Sequence, residues 1–302
     1  MKATALRVLR LAQFSAKVLR RLPRRFARKS LDRLQEGVDR AIEALPLQEK
    51  LLVSEGQARG SAINRSLAWS LAFVAGAVNA GGFLAIARYT SHMTGAVSSA
   101  ADELALGQWT GFLGSASMVL AFFLGAFTCT FLIALGRRWR IRSRYALSLT
   151  LEAALLLVFG LLGAKLSLRH EFEVPVTTVL LCGIMGMHNA VVTNISGAVV
   201  RTTHLTGIVT DLGIEVSHVL DESLGGARRT GTNRERIRLH GLILLSFFAG
   251  AVAGAVGFKR VGYKATVPLA AFLVFLAARP VLEDLRLFWR LSRRRRAQSR
   301  TE

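Results

Sequence analysis

Between residues 67 and 281, long apolar runs alternate with short polar connectors. Six runs reach or approach the roughly 20 residues that a helix needs to cross a hydrocarbon core. They cover 67–87, 111–135, 145–164, 175–192, 239–258 and 265–281, the last closed early by Arg279 and Pro280. The runs are continuous and lack a period of two, so they predict helices and not a barrel. Small residues notch them at Gly160, Gly163, Gly183, Gly186 and the Gly250/Gly254 pair, spacings that let membrane helices approach closely. The pattern predicts an all-α fold, a polytopic membrane protein of about six spans.

Charge adds a second feature. Of 302 residues, 52% are hydrophobic, yet the formal net charge is +21. Both hold because they occupy different stretches. Residues 1–31 carry ten basic side chains and no acidic one. On a helix, Arg7, Arg10, Lys17, Arg20 and Arg21 share one arc, with Val8, Leu9, Leu11, Ala16, Val18 and Leu22 opposite. That arrangement suits a helix lying in the lipid interface with its cations on anionic headgroups. Pro23 interrupts it, and a second amphipathic stretch, Leu31 to Leu45, ends before Pro46. Residues 1–66 therefore read as a basic amphipathic cytoplasmic arm, 67–281 as the transmembrane domain and 282–302 as a basic tail.

Several classes fall away on these figures. Disorder and collagen-like repeats do not combine with such hydropathy. Cys129 and Cys182 both lie inside apolar runs and form no CxxC, so buried structural thiols are expected. The arm holds only two aromatic residues, Phe14 and Phe26, so no nucleic-acid partner is expected. No apolar core with a cleavage site marks a secretory signal. The basic arm, Arg137–Arg144, Arg228–Arg238 and Arg293–Arg296 all argue for N-in, C-in topology in a bacterial cytoplasmic membrane. Lys259, Arg260 and Lys264 run against that orientation. An Arg-rich, acid-free start is also the mark of a mitochondrial transit peptide, which makes a mitochondrial membrane the minor alternative.

A duplicated segment is the most informative motif. Residues 90–103 read TSHMTGAVSSAADE and residues 202–215 read TTHLTGIVTDLGIE. His92/His204, Thr94/Thr206, Gly95/Gly207 and Glu103/Glu215 coincide. Upstream, Gly76-Ala-Val-Asn79-Ala80 parallels Gly186-Met-His-Asn189-Ala190. Each copy comprises one span, the His-x-Thr-Gly segment and two more spans, so repeat one covers 67–164 and repeat two 175–281. Three spans is an odd number, so the second copy is expected upside down, as in many secondary transporters with a midplane site. His92 shares a helix face with Glu103, as His204 does with Asp211 and Glu215. Thr94-Gly95 and Thr206-Gly207 are expected to start helices, with Thr as cap.

The motifs SHMTG and THLTG, with the stretch NISGAVVRTTHLTG, resemble the YoaK-like family of bacterial inner-membrane proteins over about residues 67–280. That family has no known function, so the resemblance implies architecture and not activity. Such proteins tend to carry Asn after the motif Gly, where this chain has Ala96 and Ile208.

The remaining chemistry is sparse. Glu152 lies inside the third span, where an ionisable group usually serves a cavity or a partner and can carry a proton. It also stands two turns from Arg144, close enough to snorkel or pair. Asn79, His188 and Asn189 line either a solute path or an inter-helix contact. No metal site is assigned, although His92, His204, Glu103, Asp211 and Glu215 are ligand types. No GxSxG, paired intramembrane Asp or Walker A sequence occurs, so neither an enzyme nor a cofactor is expected. The expected function is a secondary carrier or small-solute binding protein, with a small solute or proton and anionic lipid as partners. The alternative is a non-transporting anchor or assembly factor that binds anionic lipid or a protein.

Overall fold

The computed structural model describes residues 61–139, 144–166, 176–196, 201–224, 234–278 and 282. The basic arm with Arg7, Arg10, Lys17, Arg20 and Arg21, the connector at 228–229 and the tail from 283 lie outside the described residues.

Seven α-helices follow in order: α1 (Ser61–Ile86), α2 (Met93–Ala105), α3 (Trp109–Arg138), α4 (Arg144–Leu166), α5 (Val176–Ser196), α6 (Leu205–Ser223) and α7 (Arg234–Val261). A 3-10 turn, Gly262–Ala265, leads into an eighth helical stretch, α8, at residues 266–278. No strand occurs among the described residues. Five stretches are long and apolar enough to cross a membrane, where the hydrophobic pattern predicted six. The difference lies at the end of the chain. Arg234–Ala278 forms one 45-residue apolar stretch that holds α7, the 3-10 turn and α8 together.

Burial grades the helices, with α5 and α1 innermost. The apolar window of α5 is 61% buried, that of α1 56% and that of α4 50%, against 17% for α3. Leu120, Phe123, Leu124, Phe127 and Phe131 face outward along α3, and Leu245, Phe248, Val252 and Val256 do so along α7. In water such rows would be a liability; against lipid they are the solvated face.

Glycines set how the helices touch. A Cβ at Gly76 would stand 2.0 Å from the Phe247 carbonyl oxygen, and one at Gly250 2.0 Å from that of Phe73. Gly254 meets Ala77 in the same way, and Gly81 meets Phe258. Numbers rise together along this seam, so α1 and α7 run parallel. A second seam joins α3 to α5, where Gly125 meets the Gly183 carbonyl and Gly186 that of Phe122. Farther along, Asn194 Nδ2 donates to Thr130 Oγ1 at 3.2 Å, so this pair is parallel too. The two inner helices run the opposite way to each other. Leu71 of α1 meets His188 of α5, while Gly82 meets Leu181.

Short elements close the ends. Ala87 follows α1 with φ 55°, a left-handed conformation that favours glycine, and its N–H reaches the Phe83 carbonyl at 2.7 Å. Gly107 with φ 70° turns α2 into α3. Tyr263 of the 3-10 turn packs edge-on to Phe159 and Phe258 and donates to the Ala85 carbonyl at 3.3 Å. Gly163 leaves room for that ring and Gly160 for Thr266. Along α8, Ala270, Leu273, Leu276 and Ala277 are buried at helical spacing, so one face of it belongs to the core.

Candidate functional site

Two polar regions stand out: the breaks between α1 and α2 and between α5 and α6, and a charged pair inside the helix bundle.

At the first break, Asn79 Oδ1 accepts hydrogen bonds from Ser91 N at 3.3 Å and Ser91 Oγ at 2.9 Å. At the second, Asn189 Oδ1 accepts from Thr203 Oγ1 at 2.5 Å, while its Nδ2 donates to the Met185 carbonyl at 3.0 Å. Each Asn thus ties the hydroxyl residue just before the motif His to its own helix. The aligned sequences placed Asn79 and Asn189 in register, and the structure gives them one task.

The motif itself is arranged differently from the expected cap. α2 begins at Met93 and α6 at Leu205, so His92 and His204 occupy the N-cap positions and Thr94 and Thr206 lie within the first turn. Neither His caps with its side chain. Each ring lies instead over the motif glycine. A Cβ would stand 2.7 Å from His92 Nδ1 at Gly95 and 2.5 Å from His204 Nδ1 at Gly207. The glycine thus leaves the flat surface on which the imidazole rests. His92, Thr94, His204, Thr206 and Asp211 are exposed, and nothing in the fold brings the two motif histidines together. Spacing put His92 and Glu103 on one face of α2, but they sit near opposite ends of it. Glu103 packs on Gly111 at the start of α3, and Glu215 lies 3.8 Å from Arg236 at the start of α7. Among the described residues, no three His, Cys, Asp or Glu side chains gather as a metal site.

The first break opens on a cavity of about 190 Å³ lined by Phe83, Arg88, Tyr89, His92, Ser99 and Met118, among others. It is small against the 300–1,000 Å³ of a drug-sized site and open to the outside. Thr90 and Thr202, aligned in the two motifs, are completely buried, and neither hydroxyl has a hydrogen-bond partner among the described residues. Sequence reasoning saw their identity but assigned them no role.

Inside the bundle, Glu152 of α4 and His188 of α5 are each 1% exposed, and Glu152 Oε1 lies 2.7 Å from His188 Nδ1. His188 Nε2 lies 3.0 Å from the Leu71 carbonyl of α1. A carbonyl only accepts, so Nε2 carries a hydrogen and Nδ1 faces the carboxylate. Three helices thus meet on one imidazole. The partner of Glu152 is His188 and not Arg144, whose guanidinium lies 5.4 Å above the Tyr145 ring. Both residues were candidates by sequence; their pairing was not legible there.

These features define a helical membrane protein with a polar network at the crossing of its inner helices. Residues 67–279 match the model of a protein family of unknown function, DUF1275, and the chain belongs to that family. The match spans nearly the range over which the YoaK-like resemblance was drawn. No curated protein and no solved structure matches the chain.

Proposed function

We propose that the chain is a secondary carrier or small-solute binding protein of YoaK-like type, built as six spans in two inverted repeats, with its site where α1 and α5 break. The observation that carries this reading is the pair of matching tethers, Asn79 to Ser91 and Asn189 to Thr203, on inner helices that run in opposite directions. Broken helices whose polar breaks sit at a repeat interface are how carriers present backbone and side-chain groups to a solute.

The helix seams support the same reading. Residues 73 and 76 of α1 shift by one constant onto 183 and 186 of α5, and 122 and 125 of α3 shift by another onto 247 and 250 of α7. Under those two shifts, the contacts of α1 with α7 become the contacts of α5 with α3. A duplicated unit that swaps its outer helices across a pseudo-two-fold axis produces this reciprocity. The sixth span in this reading is α8, which returns after the turn at Gly262. An unbroken 45-residue helix would be about 68 Å long, more than twice the hydrocarbon thickness.

The chain is assigned no enzymatic activity and no cofactor. It lies in the bacterial cytoplasmic membrane with both termini inside, and its arm rests on anionic lipid. The test is a thermal-stability screen of the full chain in detergent against metal salts, organic acids, nucleobases, sugars and lipids. A solute at a hundredfold excess over its dissociation constant contributes about 2.7 kcal/mol to the folded state. A hit that disappears in the His92→Ala/His204→Ala double variant supports the carrier. Stabilisation by anionic lipid alone transfers the weight to the anchor or assembly-factor reading.

A further inference from the structure

We infer that Glu152 and His188 form a proton-binding site within the membrane, the coupling site of the carrier proposed above, on which reading its coupling role rests. The Leu71 carbonyl keeps one hydrogen on His188 Nε2 at 3.0 Å. The 2.7 Å line from Nδ1 to Glu152 Oε1 then holds exactly one further proton, on the nitrogen or on the oxygen. In either place the pair has no net charge, the state that an apolar interior favours. Taking that proton away leaves a carboxylate beside a neutral imidazole, with lone pairs facing each other and a net charge of minus one. Placing a second proton on Glu152 Oε2 gives plus one. Oε2 is buried and has no hydrogen-bond partner among the described residues, so the network is open at that atom.

Among the described residues, the Leu71 carbonyl of α1 meets His188, and the buried Cys129 thiol of α3 lies close enough to feel the charge of Glu152. Among the described residues, Glu152 and His188 form an ion pair only with each other, so a change of one proton is not offset by a third charged partner.

A purely structural clamp between α4 and α5 is the competing account, and the other repeat argues against it. Val78 stands in α1 where His188 stands in α5, and it is buried at 3% exposure. Residues 266–278, the described part of the counterpart of α4, contain no ionisable side chain. At the matching position the other half places a buried apolar side chain, so packing alone does not call for a buried ionisable pair whose desolvation costs several kcal/mol.

The test uses the full chain in liposomes of zwitterionic lipid, with histidine labelled by nitrogen-15 and His188 assigned through His188→Gln. Solid-state NMR then follows its ring nitrogens between about pH 5 and pH 9. The expected result is a His188 signal that changes protonation state with pH in the wild type. Glu152→Gln, which keeps the side-chain shape, loses that titration, and Glu152→Asp regains it at a shifted midpoint. A wild-type His188 signal that is invariant with pH overturns the site, as does a titration unchanged in Glu152→Gln. Should Glu152→Gln fail to fold, the wild-type and Glu152→Asp spectra decide. Titration without any stabilising solute leaves the proton site standing and removes the carrier. Solute flux with an invariant His188 signal does the reverse.

Discussion

Replacing Gly76 by Ala tests whether the glycine seams hold the bundle together. The added Cβ would lie 2.0 Å from the Phe247 carbonyl oxygen and 2.9 Å from Ala251 N. A carbon and a carbonyl oxygen sit comfortably at about 3.3 Å, so the two helices must part by about 1.3 Å at that point. A gap of 0.5–1 Å already forfeits a quarter to a half of the dispersion well for each atom pair. The neighbouring contacts of Gly250 with Phe73 and Gly254 with Ala77 lie on the same seam and loosen with it. The obstacle is backbone, which cannot rotate away, so the penalty falls toward the upper end of the roughly 1–3 kcal/mol seen for overpacking. Against it stands the gain in helix propensity of about 1 kcal/mol.

Gly213→Ala supplies the control, because nothing lies within 4 Å of a Cβ there. It should gain about 1 kcal/mol, while Gly76→Ala loses about 1–2 kcal/mol net. Unfolding by SDS titration in mixed micelles reads the difference. Gly186→Ala, whose Cβ would stand 2.0 Å from the Phe122 carbonyl, should match Gly76→Ala. If Gly76→Ala unfolds together with Gly213→Ala, the close approach of α1 and α7 is wrong. If Gly76→Ala and Gly186→Ala differ widely, the reciprocity of the two seams is wrong.

Other outcomes follow from the polar contacts. Glu152→Ala leaves His188 buried opposite an empty space and should cost about 3–5 kcal/mol in the same titration, well above the cost of Glu152→Gln; equal losses would mean that His188 reaches solvent. Asn79→Ala and Asn189→Ala should each lose about 1 kcal/mol, with proteolysis becoming faster at the adjoining break and not at the distant one. Ala87→Gly should raise stability by about 1 kcal/mol, because it removes the side chain from a left-handed position, and a loss would contradict the φ of 55° there.

The legible parts of this fold share a physical origin. Apolar runs longer than a bilayer is thick can only be helices, so the spans could be read with boundaries close to those observed: 175–192 became Val176–Ser196, and 145–164 became Arg144–Leu166. The last two runs, 239–258 and 265–281, were parted in the sequence by Lys259, Arg260 and Lys264, and the 3-10 turn Gly262–Ala265 stands at that break. Gly250 and Gly254 were recognisable as notches, but a notch does not name its partner. That Gly250 meets Phe73, some 177 positions away in the chain, follows only from the packed structure. The duplicated motif was visible from identity alone, but the expected Thr cap does not form: His92 and His204 take the N-cap positions. Spacing placed His92 and His204 on helix faces, but three-residue proximity to glycine decided where their rings went.

The duplication is most informative where it fails. Gly76-Ala-Val-Asn79 and Gly186-Met-His-Asn189 keep the glycine that admits an outer helix and the asparagine that ties the break. Between them Val78 is exchanged for His188, and the exchange is matched on another element by Glu152. One substitution alone would bury an unpaired polar group at a cost of several kcal/mol; together they form a neutral pair. At this position the two matching segments differ in polarity, and the polar pair is buried and, among the described residues, open at a single atom, Glu152 Oε2. On the inverted-repeat reading proposed above, Val78 fills the matching position without a polar partner, so packing alone does not require the pair. On that reading the difference belongs to what the protein does, and it is there that solute, proton and pH should be varied together.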